Sequence, residues 1–395
     1  MLPPDARSER EVPARFAAAV LATVLSACLS EGQRSDPIVI GPEALTVLAE
    51  DSLQAVYIDV ADLGGSVAYL SATEPFVTIV NPAGQVTRQF GMPGEGPGEF
   101  RNPTSLDAQA DTLYVWDVRQ GAASMLDTLG RYLGRRGASA SFGGVAPRAR
   151  LDYAGRPGLY RRFGAVAVSA AYPNGVSLPG EQQSQVLLAF NDSGVVVDTA
   201  WASSLPASAN QPAPQKPMQL LPIPVWARCS DSRLAVYDPV AGVSSLRTPE
   251  GVEIRRRESP ADTVAISTAD LRRYVAFHFQ RLYVAAHIRE PSSMAEEVAE
   301  WVRQAQIQGA YPSGYTGFTS VLCDRRDRIW LDSFSLEDSP LGYGRTWVVL
   351  SGKSGRYTVT LPMGFRLMLL TDGRGYGVLM DSTSAEVPAW VELPD

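Results

Sequence analysis

The chain has 395 residues, of which 45% are hydrophobic and 19% charged, so it is not a disordered chain and has apolar material for a large core. Its formal net charge of −7 would repel a phosphate backbone, whose binding requires a basic face, so nucleic acid is not an expected partner. The length allows two ordinary domains or one large closed β-architecture, and internal repeats must decide between them.

The N-terminal region predicts export and lipidation. Arginines precede the apolar run 16–25, which is too short to span a bilayer, and LSAC at 25–28 closes it. These four residues resemble a bacterial lipobox, whose cysteine becomes the lipidated first residue of the mature protein. We predict a lipoprotein signal peptide over 1–27, lipidation of Cys28 and a polar tether over 28–36. An ordinary cleaved signal with a chance cysteine is the alternative.

Three segments, 67–91, 113–137 and 234–258, align without a gap and define an internal repeat. Each contains a strand, a short turn, a second strand, a glycine-containing hairpin turn and a third strand. A period in the forties with four short strands per unit is typical of a β-propeller. Counting gives six units, with five or seven as alternatives because the third unit is long and irregular. Their bounds are 53–91, 100–137, 148–201, 221–258, 317–362 and 363–395.

The last unit lacks an outer strand, and the two short apolar runs within 38–48 have no obvious local partner. Pairing the two chain ends accounts for both observations and removes an exposed sheet edge. We therefore predict an all-β fold, a single six-bladed β-propeller over 37–395 whose N-terminal strand closes the last blade. A monomer is expected.

A helical pattern interrupts the repeats over 264–310. Ser267 and Asp270 have the spacing of a capping box, and Ser293 and Glu296 repeat it before a second apolar stripe. We predict a helical hairpin inserted between the fourth and fifth blades. It would pack on the ring or, alternatively, serve as a lid or docking element.

The segment 86–106, VTRQFGMPGEGPGEFRNPTSL, joins the first unit to the second and is here called the seam. Its glycines and prolines forbid a continuing helix or strand. With the DTLYVWD that follows, the seam resembles the connection and opening strands of NHL-type six-bladed β-propeller repeats. The overall plan is similar to that of bacterial lipoproteins of uncharacterised function with this fold. The resemblance implies a scaffold that binds something on one face of the ring, and it implies no reaction.

Acidic residues collect at the strand ends on the face that the seams share. The second strands of four units end in Asp117, Asp238, Asp332 and Asp381. With Glu95 and Glu99 of the seam they would form an acidic rim, and calcium takes oxygen ligands of this type. The alternative is that each aspartate opens a turn by accepting hydrogen bonds from the backbone.

Histidine and cysteine limit the other chemistry. His278 and His287 are nine positions apart on one predicted helix, so they cannot bind one metal ion together, and a three-histidine zinc site is excluded by count. Cys229 and Cys323 each precede the second strand of consecutive units. We predict a disulfide between them if their Cα atoms lie within about 7 Å, the alternative being two buried thiols.

These observations favour a non-catalytic, lipid-anchored scaffold of the cell envelope, periplasmic or on the outer membrane. It would bind a protein, peptide or glycan on the rim built by the seams, without a cofactor and with the lipid anchor as its only membrane contact. The alternative is a Ca²⁺-dependent hydrolase or lactonase-type enzyme with a carboxylate site in the central channel. A quinone-cofactor dehydrogenase is a third possibility, which a visible chromophore would reveal.

Overall fold

The structure, a computed structural model, describes most of the chain beyond the predicted tether. The described residues are 36–48, 55–117, 119–120, 122–137, 161–163, 166–171, 184–190, 196–204, 224–229, 233–248, 251–274, 276, 296, 299–300, 303, 314–339, 343–380 and 386–393. The predictions for the signal peptide, Cys28, Asp381 and both histidines lie outside these ranges. Within them, no helix is both long enough and apolar enough to cross a membrane.

The described chain is almost entirely β-structure. It begins with β1 (Ile38–Val39), a 3₁₀ turn (Pro42–Ala44) and β2 (Leu45–Val47). Sheet 1 contains β3 (Tyr57–Asp62), β4 (Val67–Ser71), β5 (Val77–Val80) and β6 (Val86–Phe90). Two short parallel strands lie within the seam, β7 (Met92–Pro93) and β8 (Glu99–Phe100). Sheet 2 contains β9 (Pro103–Gln109), β10 (Thr112–Asp117), β11 (Ala122–Asp127) and β12 (Tyr132–Gly137).

Sheets 3 and 4 repeat this order of antiparallel strands. Sheet 3 contains β13 (Arg161–Phe163), β14 (Val166–Ala171), β15 (Ser184–Phe190) and β16 (Val196–Ser204). Sheet 4 contains β17 (Val225–Arg228), β18 (Leu234–Asp238), β19 (Val243–Arg247) and β20 (Glu253–Glu258). A two-stranded ribbon of β21 (Thr263–Ala265) and β22 (Gly314–Thr316) follows.

The last two sheets use the N-terminal strands. Sheet 5 contains β23 (Phe318–Cys323), β24 (Ile329–Phe334), β25 (Tyr343–Ser351) and β26 (Gly355–Thr360), with β1 added to β26 in parallel. Sheet 6 contains β27 (Phe365–Thr371), β28 (Arg374–Met380) and β29 (Glu386–Glu392), with β2 as its fourth strand. The N-terminal strand therefore completes the last sheet as predicted. The run 38–40 was expected there too, but it covers the edge of sheet 5 instead.

The apolar core lies between neighbouring sheets. One cluster joins sheets 5 and 6 around the fully buried Trp330 and Trp347, and others join sheets 4 and 5, 1 and 2, and 6 and 1. Because both faces of these sheets are covered, their middle strands are largely apolar, such as the buried VAYLS of β4 with four apolar residues and Ser71.

The predicted number of blades is not confirmed by this packing. The clusters of described side chains run through five sheets, 4, 5, 6, 1 and 2. For sheet 3 the structure describes the backbone and the buried Trp201, so side-chain packing against sheets 2 and 4 lies outside the described part of the chain.

The predicted helical hairpin over 264–310 is not evident in the described residues. Its first residue belongs instead to β21, in which Val264 pairs with Tyr315. Helical backbone is described over 268–274 and at a few residues between 296 and 303. The first helix does begin at the predicted capping box, since Ser267 Oγ accepts a hydrogen bond from the Asp270 amide and the Asp270 carboxylate accepts one from the Ser267 amide. Hydrogen bonds from Ser267 and Arg273 lower the pKa of Asp270 to about 2.

Candidate functional site

Strand direction defines two faces of the molecule. In sheets 1, 2, 4, 5 and 6 the first strand begins at the loop that connects it to the preceding sheet. It ends at a tight turn that leads into the second strand. We call the end of the sheets that carries the inter-sheet loops, including the seam, the seam face. The opposite end, with the turns from first to second strand, is the hairpin face.

A central cavity of about 250 Å³ lies among the first strands. Its described lining comes from sheets 1, 2, 4, 5 and 6, at residues 60–62, 106–108, 227–229, 322–323, 368–370 and Arg325. These residues occupy the second halves of the first strands, and Arg325 lies in the following turn. The cavity is therefore on the hairpin side of the ring, opposite the seams on which the sequence predicted a binding rim.

Ion pairs between different sheets surround the cavity. Arg228 Nη1 of sheet 4 lies 3.0 Å from Asp107 Oδ2 of sheet 2, and both side chains are largely buried. Arg325 of sheet 5 pairs at 3.0 Å with Asp62 of sheet 1 and at 2.6 Å with Asp372 of sheet 6. Burial alone would lower the pKa of Arg325, but Asp372 and Asp62 raise it. The mouth thus carries two arginines and three aspartates, a net negative charge.

The cavity wall also contains the two cysteines. The Sγ atoms of Cys229 and Cys323 lie 2.10 Å apart, which is bonding distance, and the Cα atoms lie 4.9 Å apart. The disulfide joins the ends of the first strands of sheets 4 and 5. With Asp327 these cysteines are the group of three potential metal ligands found among the described residues. However, Asp327 pairs with Arg233 at 2.6 Å, and bonded sulfurs offer no thiolate to a metal ion.

Asp117 caps the backbone and does not face the cavity. Its fully buried carboxylate accepts four amide hydrogen bonds, from Arg101 (2.6 Å) and Asn102 (3.0 Å) of the seam, and from Arg119 (2.9 Å) and Gln120 (3.0 Å) of its own turn. Four donors occupy the lone pairs of one carboxylate. Asp117 therefore fixes the seam to the adjacent turn of sheet 2.

The other predicted calcium ligands do not gather around a common point. Asp238 accepts hydrogen bonds at 3.0 Å from the amides of Val240 and Ala241, as an aspartate that opens a turn does. Asp332 accepts one at 2.8 Å from Thr319 Oγ1 within sheet 5. No group of three potential ligands among the described residues includes Asp117, Asp238 or Asp332. Asp117 and Asp238 thus have the turn-forming role that the sequence analysis gave as the alternative, while Asp381 lies outside the described ranges.

The seam does not present a free acidic rim. Glu99 turns back and accepts a hydrogen bond at 2.8 Å from the Gly96 amide, and Glu95 pairs with Arg101 at 2.6 Å. Gly91 has a positive φ of 89°, and a Cβ there would lie 2.9 Å from the ring of the buried Phe100. The glycines of the seam therefore allow a compact turn whose carboxylates are already partnered.

Asp332 is the most perturbed carboxyl group among the described residues. Its burial raises the pKa well above the ordinary value, the nearby Asp338 adds to this effect, and the hydrogen bond from Thr319 opposes it. Asp332 lies at the seam end of β24. Burial that raises the pKa of this carboxyl group disfavours its ionised form, which metal binding requires, and so favours a structural role.

The titration of Asp332 predicts a pH dependence of stability. Between the ordinary carboxyl pKa and the raised value, the folded protein retains a proton that the unfolded chain has released, so the free energy of unfolding falls as pH rises. We expect Asp332→Asn to equal the wild type near pH 4 and to be more stable at pH 8, as measured by urea unfolding. Asp111→Asn, at an exposed turn, is the control. Parallel pH profiles for wild type and Asp332→Asn would contradict this expectation.

No sequence pattern pointed to the cavity or its charged mouth. Arg228 and Asp107 are 121 residues apart, and only the closed ring brings them together. The disulfide was more accessible to sequence reasoning because equivalent positions in consecutive units must lie on neighbouring first strands.

Comparison with known proteins identifies the fold. No protein-family model and no curated protein matches the sequence. Among solved structures, the chain is similar to a Bacteroides fragilis protein to which export has been ascribed, with 9% identity and a TM-score of 0.51 over 92% of this chain and 98% of that one. It also resembles a DUF4221 family member from Bacteroides vulgatus (8% identity, TM-score 0.48, 88% and 95% coverage). A third similar structure is the calcium-binding protein regucalcin from Agrobacterium tumefaciens, with 10% identity and a TM-score of 0.42 over 90% of this chain and 95% of that one.

The protein has a β-propeller fold. At such low identity the likeness to the Bacteroides fragilis protein shows the shared fold alone. The NHL type predicted from the seam is not confirmed, since no family model matches. What the propeller does must be argued from its own residues.

Proposed function

We propose that the protein is a non-catalytic, lipid-anchored propeller outside the cytoplasm that binds the positively charged end of a peptide at the mouth of its central cavity. The observation that carries this proposal is the cavity on the hairpin face, with Arg325 held between Asp62 and Asp372 at its edge. We also propose that the ring has six blades, with sheet 3 as the third. The support is that sheet 3 has the same order of four antiparallel strands as sheets 1, 2 and 4.

The charge of the mouth favours a cationic ligand group. Three aspartates face two arginines there, and the whole protein carries a net charge of −7, so a positive group is attracted over distance and a negative one is repelled. The side chain of Asp372 is 71% exposed, which leaves it accessible to an approaching amine. Beyond the charged mouth, the wall contains aliphatic side chains that a peptide can contact.

The described lining of the cavity favours binding over catalysis. Its ionisable groups are Asp62, Asp107, Arg228 and Arg325, and all four are in ion pairs. Side chains held by such pairs are fixed in position, which suits the recognition of a charged group. The alternative of a calcium-dependent lactonase-type enzyme has no specific support from the described aspartates, each of which has backbone or side-chain hydrogen bonds of its own.

A peptide-binding assay tests the proposal. A library of short synthetic peptides with free amino termini is passed over the full-length protein, retained peptides are sequenced by mass spectrometry, and affinity is measured by fluorescence anisotropy. We expect acetylation of the peptide amine, or Asp372→Asn, to weaken binding about tenfold, as for loss of a charge-assisted hydrogen bond. Binding should also weaken as salt is raised, because Asp372 is exposed.

The matched control is Asp111→Asn. Asp111 is an exposed aspartate in the first-to-second-strand turn of sheet 2, as Asp372 is in sheet 6, but Asp372 pairs with Arg325 of the cavity lining. It should leave affinity unchanged. Retention of no peptide, equal binding of acetylated peptides, or equal losses for both variants would refute the proposal, and selective retention of glycans from a parallel array would replace it.

A further inference from the structure

The outer strand of sheet 4 carries three consecutive arginines, although the protein as a whole has a net charge of −7. Side chains alternate along β20, so Arg255 and Arg257 are half-buried while Arg256 is exposed. Arg255 and Arg257 therefore share one face of the strand, and both side chains reach sheet 5. Positive charge is thus concentrated where the outer parts of sheets 4 and 5 meet.

The partners of these two arginines are backbone carbonyl groups and not carboxylates. Arg255 donates from Nη2 to the carbonyl oxygen of Asp327, and Arg257 donates from Nη1 to those of Gly355 at 2.8 Å and Ser351 at 3.4 Å. Nε of Arg255 is buried and has no hydrogen-bond acceptor among the described residues. The carbonyl bonds hold both guanidinium groups in place without cancelling their charge, and each group has further N–H donors.

Sheet 5 adds a third positive charge at the same place. Arg356 follows directly after Gly355 and is exposed, and in the described part of the chain its side chain forms no ion pair. Burial lowers the pKa of Arg257, and the charges of Arg255 and Arg356 lower it further, so Arg257 is repelled by both neighbours. We call Arg255, Arg257 and Arg356 the arginine cluster.

The carboxylates on the elements that carry the arginine cluster do not balance its charge. Glu258 lies on the opposite face of β20, with Arg256. The other acidic side chains of β20 and of the turn 324–328 are already paired with arginines outside the cluster. These pairs are Glu253 with Arg247, Asp324 with Arg328, and Asp327 with Arg233. The cluster therefore offers an uncompensated positive site to an anion.

A doubly charged oxyanion fits three guanidinium groups better than a singly charged one. Guanidinium groups bind phosphate through paired N–H donors, and arginines already fixed by carbonyl groups lose little freedom on binding. A phosphomonoester carries about two negative charges at neutral pH on three terminal oxygens, whereas a carboxylate or a phosphodiester carries one.

We propose that the arginine cluster binds the phosphate group of a soluble phosphomonoester, with Arg255 and Arg257 contributed by sheet 4 and Arg356 by sheet 5. The ligand thus bridges two neighbouring sheets. This site is separate from the peptide-binding mouth of the cavity and does not depend on lipidation of Cys28.

Calorimetric titration of the full-length protein with glycerol phosphate tests the proposal. We expect saturable binding that weakens about tenfold in Arg257→Gln and in Arg356→Gln, as for loss of a charge-assisted hydrogen bond. Because Arg257 also contacts sheet 5, its variant is checked for folding by circular dichroism. Arg356 is exposed, so its replacement tests the site without removing a contact between the sheets.

The matched control is Arg88→Gln. Arg88 occupies the position on the outer strand of sheet 1 that Arg255 occupies in sheet 4, since Arg88 pairs with Ile79 as Arg255 pairs with Leu246. It is exposed, and its replacement should leave the affinity for glycerol phosphate unchanged. Acetate and a soluble glycerol phosphodiester should bind at least about tenfold more weakly than the monoester.

Three results would overturn the proposal: no binding of glycerol phosphate, equal affinity for the diester, or equal losses in Arg356→Gln and Arg88→Gln. Displacement of glycerol phosphate by vesicles of phosphatidylglycerol, but not by vesicles of phosphatidylcholine, would assign the cluster to a lipid surface and would also overturn it. Peptide affinity, measured on the same samples, reports separately on the cavity.

Discussion

Replacing Glu386 with alanine is expected to lower the free energy of unfolding by about 3–5 kcal/mol, the usual cost of removing one partner of a buried ion pair. The Glu386 carboxylate lies 3.3 Å from Arg366 Nη2 and accepts a hydrogen bond at 2.7 Å from the Tyr57 amide. Arg366 also donates to the Tyr57 carbonyl at 2.7 Å. These contacts join sheet 6 to sheet 1, where the ring closes, and the side chains of Glu386 and Arg366 are only 7% and 16% exposed.

The measurement is equilibrium urea unfolding followed by tryptophan fluorescence. Glu386→Gln keeps an oxygen for the Tyr57 amide but loses the charge, so it should have an intermediate effect. Glu392→Ala, at an exposed position on the same strand, should change stability by less than about 0.5 kcal/mol. A Glu386→Ala protein as stable as the Glu392→Ala protein would show that the ion pair contributes nothing to closure.

Loss of the disulfide is expected to cost about 4 kcal/mol, because the bond closes a long loop in the unfolded chain. Cys229 and Cys323 are 94 positions apart and join the first strands of sheets 4 and 5. The helical segment and the two-stranded ribbon both lie between them in the chain, so the bond also holds together the two sheets that flank this insertion.

This prediction is checked by urea unfolding of the wild type with and without a dithiol reductant, and of the double variant Cys229→Ala and Cys323→Ala. The reductant should destabilise the wild type and have no effect on the double variant. Non-reducing peptide mapping gives the control for the bond itself. If both cysteines are alkylated without reduction, the protein contains two thiols, and the reductant should then not lower the free energy of unfolding.

Local sequence predicted the sheets well because strand and turn signals are local. The glycine at the third-to-fourth-strand turn recurs as Gly84, Gly130 and Gly251, each with a positive φ that few other residues adopt at low cost. The pairing of the N-terminal strand was also accessible, since a sheet lacking one strand and a strand lacking a partner suggest each other. The helical pattern after Thr263 was misleading at its start, where pairing with Gly314–Thr316 favours a strand.

The site could not be predicted because its members come from different sheets. In the sequence alone, an aspartate at the end of a strand is compatible with metal binding and with a turn. For Asp117, the hydrogen bonds from the amides of Arg101 and Asn102 show a structural role. Similarly, neither Asp62 nor Asp372 is distinctive until Arg325 lies between them. Sequence reasoning therefore located the strand-end carboxylates on the seam face, whereas the cavity lies on the hairpin side of the ring.

The pairing of the N-terminal strand with the last sheet has a consequence for the order of folding. The ring closes where Tyr57 meets Glu386, and these residues are 329 positions apart. Closure therefore costs the conformational entropy of a very long loop and is expected to be slow. Until β2 reaches it, β29 presents an unpaired edge to other chains. Chaperones that shield this edge would therefore have their largest effect on the yield of folded protein at the final step, after the individual sheets have formed.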